Sequence, residues 1–91
     1  MKILITGICG FVGSSLAHIL SEDKQLDIHG VDDLSFGYKE RIEDIQNKVS
    51  FYEKDVHTFC SSSSVRFDII INATSLGLKD GKDFEFDLLD L

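Results

Sequence analysis

The sequence predicts an α/β unit of three layers, with a parallel sheet of about four strands held between helices. Two observations lead there. Short β-branched, continuously apolar runs such as Lys2-Ile3-Leu4-Ile5-Thr6 and Phe67-Asp68-Ile69-Ile70-Ile71-Asn72 suit strands buried on both faces. Segments with apolar residues at helical spacing separate the strand runs, and strand-helix-strand order implies right-handed crossovers between parallel neighbours.

Taken in order, Lys2–Thr6 reads as the first strand, ending at a glycine. Val12, Leu16, Ile19 and Leu20 then recur at helical spacing, and the polar Ser21-Glu22-Asp23-Lys24 closes a helix of about ten residues. Leu26 to Val31 gives a second strand stopping at the pair Asp32-Asp33. Tyr38, Ile42 and Ile45 predict an amphipathic helix over 38–47, followed by a strand over 49–53. From His57 to Val65 the run Ser61 to Ser64 favours a short, poor helix or a loop, because serine hydroxyls compete for the backbone. The expected core is Ile3, Leu4, Ile5, Val12, Leu16, Ile19, Leu20, Ile28, Val31, Ile42, Ile45, Phe51, Ile69, Ile70 and Ile71.

Ninety-one residues, 43% of them hydrophobic, support one small domain. A net charge of −7 repels a phosphate backbone, which argues against nucleic-acid binding. No apolar run approaches the ~20 residues that cross a bilayer, and no signal-peptide pattern is evident, so the expectation is a cytoplasmic protein without a membrane partner. Cys9 and Cys60 show neither disulfide nor zinc spacing, and no metal site is expected.

The functional signal lies in Gly7-Ile8-Cys9-Gly10-Phe11-Val12-Gly13, between the first strand and first helix. Gly7 permits a tight turn, Gly10 lets a pyrophosphate approach the backbone, and Gly13 lets the helix pack closely. The helix start offers free N–H groups to phosphate. About 20 residues beyond Gly13, Asp32 ends the second strand, where a carboxylate accepts the hydroxyls of an adenosine ribose and repels a 2′-phosphate. Asp33 is the other candidate for that role. NAD is therefore the expected cofactor, on the first half of a doubly wound, Rossmann-like dinucleotide-binding fold.

Ile5-Thr6-Gly7-x-x-Gly10-Phe11-Val12-Gly13-Ser14, Val31-Asp32-Asp33-Leu34-Ser35-x-Gly37 and Lys54-Asp55-Val56 together resemble the amino-terminal part of extended short-chain dehydrogenase/reductases. The sub-group is the NAD-dependent nucleotide-sugar epimerases and dehydratases. The likeness covers roughly residues 2–56, and Asp68 to Ala73 sits where the fourth strand of that family lies. It implies that Phe11 and Val12 present backbone to the pyrophosphate and that Asp32, Asp33, Leu34 and Ser35 surround the adenosine ribose. By the same likeness Asp55 and Val56 flank the adenine, and Ala73, Thr74 and Ser75 border the inner half of the cofactor. Residues 68–78, through Asn72-Ala73-Thr74-Ser75-Leu76-Gly77-Leu78, also resemble shikimate dehydrogenases, in which a similar Asn-Ala-Thr segment lines the nicotinamide side.

The catalytic pair of the epimerase family, Tyr-x-x-x-Lys, is absent: Ile42 follows Tyr38 at that spacing, and Val56 follows Tyr52. His18, His29 and His57 stand alone. No catalytic residue is assigned, and the expectation is a cofactor cradle without the catalytic half. Residues 1–78 are expected to form a partial dinucleotide-binding domain. Residues 79–91 are an acidic and apolar tail, in which Phe84, Phe86 and Leu88 alternate with charged residues as an edge strand or as a surface for a partner. The alternative functions are a non-catalytic module that forms a homodimer through the tail, including Leu91, or through an exposed sheet edge, and a cofactor-binding segment like that of shikimate dehydrogenases.

Overall fold

The computed structural model describes residues 1–62 and 64–74, together with the backbone of 87–90. Its strands are β1 (Lys2–Thr6), β2 (Asp27–Asp32), β3 (Val49–Glu53), β4 (Ile69–Asn72) and β5 (Asp87–Asp90). The helices are α1 (Phe11–Leu20), a 3-10 helix (Lys39–Ile45) and α2 (Val56–Ser62). Strand order is β3-β2-β1-β4-β5. The first four strands run parallel and β5 joins β4 antiparallel, pairing Ile70 with Leu89. The parallel core is thus the predicted one. Residues 87–90 of the tail lie at a sheet edge, while Phe84, Phe86 and Leu91 fall outside the described residues.

The chain steps outward from β1 to β2 to β3 and then reverses across the sheet to β4. Right-handed crossovers place the connections before and after that reversal on opposite faces. Ile3, Ile5, Ile28 and Val49 accordingly form one core cluster with Ala17, Ile42 and Ile45, beneath α1 and the 3-10 helix. Leu4 and Val31 form another with Phe59 and Phe67, beneath α2.

Several sequence expectations need correction. Residues 38–47 do not form an α-helix: the 3-10 helix repeats every three residues, so Lys39, Ile42 and Ile45 share one face and Tyr38 is left 63% exposed. Lys39 lies over the Phe51 ring, 5.8 Å from its centroid. Ile19 is exposed, because the face of α1 that meets the sheet is made of the small residues Gly13, Ser14 and Ala17. Those residues let α1 lie close, and Val12, Leu16 and Leu20 pack along its flanks. Of the two alternatives for the segment after β3, a short helix or a loop, the helix holds as α2, capped by Asp55, whose Oδ2 accepts from the Thr58 N–H at 3.0 Å. The fourth strand starts at Ile69 rather than Phe67, and Phe67 turns into the core instead. No helix among the described residues is long and apolar enough to cross a membrane.

Candidate functional site

The sheet reverses its winding between β1 and β4, and the loops leaving their carboxyl ends separate there. A cleft opens at this point, lined by Gly7 and Gly10 after β1, by Asp32 at the end of β2 and Asp33, Ser35, Phe36 and Gly37 after it, and by Ala73 and Thr74 after β4.

Gly7 occupies the left-handed region, φ +70°, and a Cβ there would lie 2.9 Å from the Ala73 carbonyl oxygen. Its N–H donates to the Val31 carbonyl at 2.8 Å, which ties the loop to the end of β2. The reason for Gly13 is sharper than helix-on-strand packing: a Cβ would fall 2.2 Å from the Gly7 carbonyl oxygen, so α1 rests directly on the glycine turn. The start of α1 has no side-chain cap and no acidic residue in its first turn. The Ser14 N–H already donates to the Gly10 carbonyl. The N–H groups of Phe11, Val12 and Gly13 precede it and have no intrahelical acceptor, so they form a cluster of donors suited to an anion. Phe11 itself is 74% exposed, so its contribution at this position is its backbone.

Asp32 is 7% exposed. Its Oδ2 accepts from the Cys9 N–H at 2.9 Å and its Oδ1 from the Leu34 N–H at 2.8 Å. One carboxylate therefore fixes the glycine loop against the loop after β2, and each oxygen keeps acceptor capacity for a further donor. Leu34 takes φ 65°, a conformation unusual for a branched side chain; its N–H bond to Asp32 and its packing on the core hold it there. Asp33 is exposed and turns to Ser35, whose hydroxyl donates at 2.6 Å and whose N–H donates at 2.9 Å. Those two bonds hold the Asp33 carboxyl below the usual carboxylate range. The structure thereby distinguishes two acids that the sequence left as alternatives: Asp32 is buried and braces the loops, and Asp33 organises a local turn.

Cys9 is the residue on which the loops meet. Its N–H goes to Asp32, and its carbonyl accepts from the Tyr38 N–H at 3.0 Å and from Arg41 Nη1 at 3.3 Å. The thiol is fully buried; burial first, and the Asp32 charge second, push it up to about 12, so it remains a protonated packing group. Gly37 passes over the same residue, where a Cβ would lie 2.6 Å from the Cys9 oxygen. Phe36 and Gly37 line the cleft although neither was singled out as a site residue. Gly37 carried a signal in the Leu34-Ser35-x-Gly37 pattern, whereas exposed Phe36 carried none. Asp55 and Val56 stand at the start of α2 after β3 and, like Phe11, Val12, Gly13 and Leu34, are not part of the cleft wall; Ser75 lies outside the described residues.

Residues 3–83 match the model of the NAD dependent epimerase/dehydratase family. The chain belongs to that family. NAD is the cofactor of the NAD-dependent epimerases and dehydratases, and the cleft suits it: glycines at Gly7 and Gly10 where side chains would narrow the floor, donors at the helix start, and a buried carboxylate opposite. Among solved structures, the UDP-Glc/GlcNAc 4-epimerase from Campylobacter jejuni is 30% identical, with TM-score 0.73 over 88% of this chain and 26% of that one. The UDP-glucose 4-epimerase of Thermotoga maritima is 26% identical, with TM-score 0.66 over 84% of this chain and 25% of that one. The dTDP-glucose 4,6-dehydratase of Bacillus anthracis, solved in complex with NAD, is 26% identical, with TM-score 0.65 over 88% of this chain and 29% of that one. This chain therefore spans between 25% and 29% of the length of these three structures. No curated protein sequence matches it.

Proposed function

We propose that this chain is the NAD-holding part of a nucleotide-sugar epimerase or dehydratase. The observation that supports it most is the arrangement at the switch point, where the start of α1, without a cap, adjoins a glycine turn that Cys9 ties to a buried Asp32, and each oxygen of that carboxylate is fixed by a backbone donor. In this reading the pyrophosphate meets the N–H groups of Phe11, Val12 and Gly13, over Gly7 and Gly10. Asp32, with Asp33, Leu34 and Ser35 beside it, receives the hydroxyls of the adenosine ribose. Asp55 and Val56 flank the adenine, and Ala73, Thr74 and Ser75 border the inner half. When bound, NAD supplies the hydride acceptor and donor of sugar oxidation and reduction. The residues present bind and orient it; a Tyr-x-x-x-Lys acid–base pair is not among the 91 residues, and no sugar-handling step is assigned to them.

Calorimetric titration tests this reading. Saturable binding of NAD, weaker binding of NADP, and loss of NAD binding in both Gly10→Val and Asp32→Ala are expected; a folded chain that binds neither nucleotide overturns it. A second reading, self-association, is favoured by the position of β5 at the end of the sheet, where its outer backbone edge faces no other strand among the described residues. Deleting residues 83–91 then removes dimers in sedimentation, and an unchanged profile removes the support for it.

A further inference from the structure

Thr6 and Asn72 are direct partners across the β1–β4 pair, at the carboxyl end of both strands. Their side chains meet: Thr6 Oγ1 donates to Asn72 Oδ1 at 2.9 Å. Thr74 donates to that same oxygen twice, from its N–H at 3.3 Å and from Oγ1 at 3.0 Å. A backbone N–H only donates, so the amide of Asn72 must turn its oxygen, not its nitrogen, toward these groups. One consequence follows for Thr74. Its hydroxyl proton is committed to Asn72, and the capacity left on Oγ1 is that of an acceptor alone.

Thr74 lines the cleft beside Gly7 and Ala73. Next to the lining residue Gly10 the start of α1 supplies donors, which suit phosphate oxygens, whereas Thr74 supplies an acceptor, which suits a hydroxyl or an amide N–H. We propose that Asn72 is a positioning residue that fixes Thr74 Oγ1 as the acceptor for the donor groups of the dinucleotide's inner half, the ribose hydroxyls or the carboxamide N–H. This rests on the NAD-holding reading and adds to it a residue outside the glycine loop and the acids after β2. Asn72 acts through Thr74, and Thr6 holds Asn72 in turn.

The test titrates NAD, ADP-ribose and AMP into the wild-type chain, Thr74→Val, Asn72→Ala and the double variant. AMP reports on the adenosine half alone, so the ratio of NAD to AMP affinity isolates the inner half from general damage to the site. The ratio is expected to fall about tenfold in Thr74→Val, as for one net hydrogen bond, to fall similarly in Asn72→Ala, and to fall no further in the double variant. Thr74→Ser, which keeps the hydroxyl, is expected to hold the wild-type ratio. A matching fall for ADP-ribose assigns the donor to a ribose hydroxyl; a fall for NAD alone assigns it to the carboxamide. An unchanged ratio in Thr74→Val, or a double variant whose fall is the product of the two single falls, overturns the inference while leaving NAD binding intact. If Asn72→Ala does not fold, the contrast of Thr74→Val with Thr74→Ser decides. A wild-type chain that binds neither NAD nor AMP overturns the NAD-holding reading itself.

Discussion

The sheet face under α1 is aliphatic and closely spaced, whereas the face under α2 is aromatic and holds a buried histidine. On the first face Ile3, Ile5, Ile8, Ile28, Ile42 and Ile45 pack with Ala17 and Cys9, and glycines bring backbone against backbone. On the second, Phe59 and Phe67 pack with Leu4 and Val31 beneath the seven-residue α2. His29 stacks on Tyr52 with ring centroids 5.9 Å apart and meets Phe67 edge-on at 5.2 Å. The difference shows how a small unit closes its two sides with unequal material: a ten-residue helix and a 3-10 helix cover one, and large rings make up for a shorter helix on the other.

If rings replace helix area on the α2 face, removing one should cost more than trimming the other face. Phe67→Ala is expected to lower stability by about 3–5 kcal/mol, against about 0.5–1.5 kcal/mol for Ile3→Val, read as the shift of the urea midpoint. Equal shifts would erase the contrast between the faces. A second change tests the close spacing on the α1 side. A Cβ on Gly30 would sit 2.2 Å from Ile8 Cδ1, and Ile8 is fully buried, so Gly30→Ala is expected to cost about 1–3 kcal/mol. Ile8→Ala should relieve much of that loss in the double variant, and strict additivity would show that the side chain was not the obstacle.

The two faces also differ in how far the sequence exposed them. The isoleucines of β1, β2 and β4 could be read by their runs and spacing, and the glycine loop, Asp32 and the parallel arrangement of about four strands followed from the same pattern. Phe59 and Phe67 could not, because Phe59 lies beside a serine run and Phe67 precedes its strand. Pattern reading credits a residue through its element, and both of these gain their burial from tertiary packing. The 3-10 repeat was hidden for a related reason: Tyr38, Ile42 and Ile45 satisfy an α-helical spacing as well, and only burial of Ile42 and Ile45 without Tyr38 separates the two. At the site, Asp32 was legible from its distance to the glycines. The part played by Cys9, donating to Asp32 through its N–H and accepting from Tyr38 and Arg41 through its carbonyl, is a backbone role that no side-chain motif encodes.

Cys9 gives the α1 face a response to alkali. Its thiol is raised from 9.0 to about 12 by burial and by Asp32, so over that interval the folded chain keeps a proton that the unfolded chain releases. Its contribution to stability is complete below about pH 9 and declines above it, with a slope approaching about 1.4 kcal/mol per pH unit. Denaturation measured from pH 8 to 11 should show this decline in the wild-type chain and a shallower one in Cys9→Ala. Identical slopes would mean that the thiol is reached by solvent as readily in the folded state as in the unfolded.

The smallest expected effect belongs to the polar pair inside the aromatic face. The Tyr52 hydroxyl lies 3.0 Å from His29 Nδ1, and His29 Nε2 lies 3.1 Å from Asp27 Oδ1 without an aligned hydrogen bond. His29 is buried against Phe67 and Tyr52 is half-buried beside it, so the hydroxyl is the bonded polar neighbour of the imidazole. Tyr52→Phe keeps the ring and removes that partner, and a loss of about 1 kcal/mol is expected. Replacing both groups, in His29→Phe with Tyr52→Phe, leaves no polar atom to satisfy and should cost less than the single change to Tyr52 adds to any other background. A double variant that loses the sum of the single effects would show that the histidine contributes by ring packing alone, and the α2 face would then differ from the α1 face in shape only, not in chemistry.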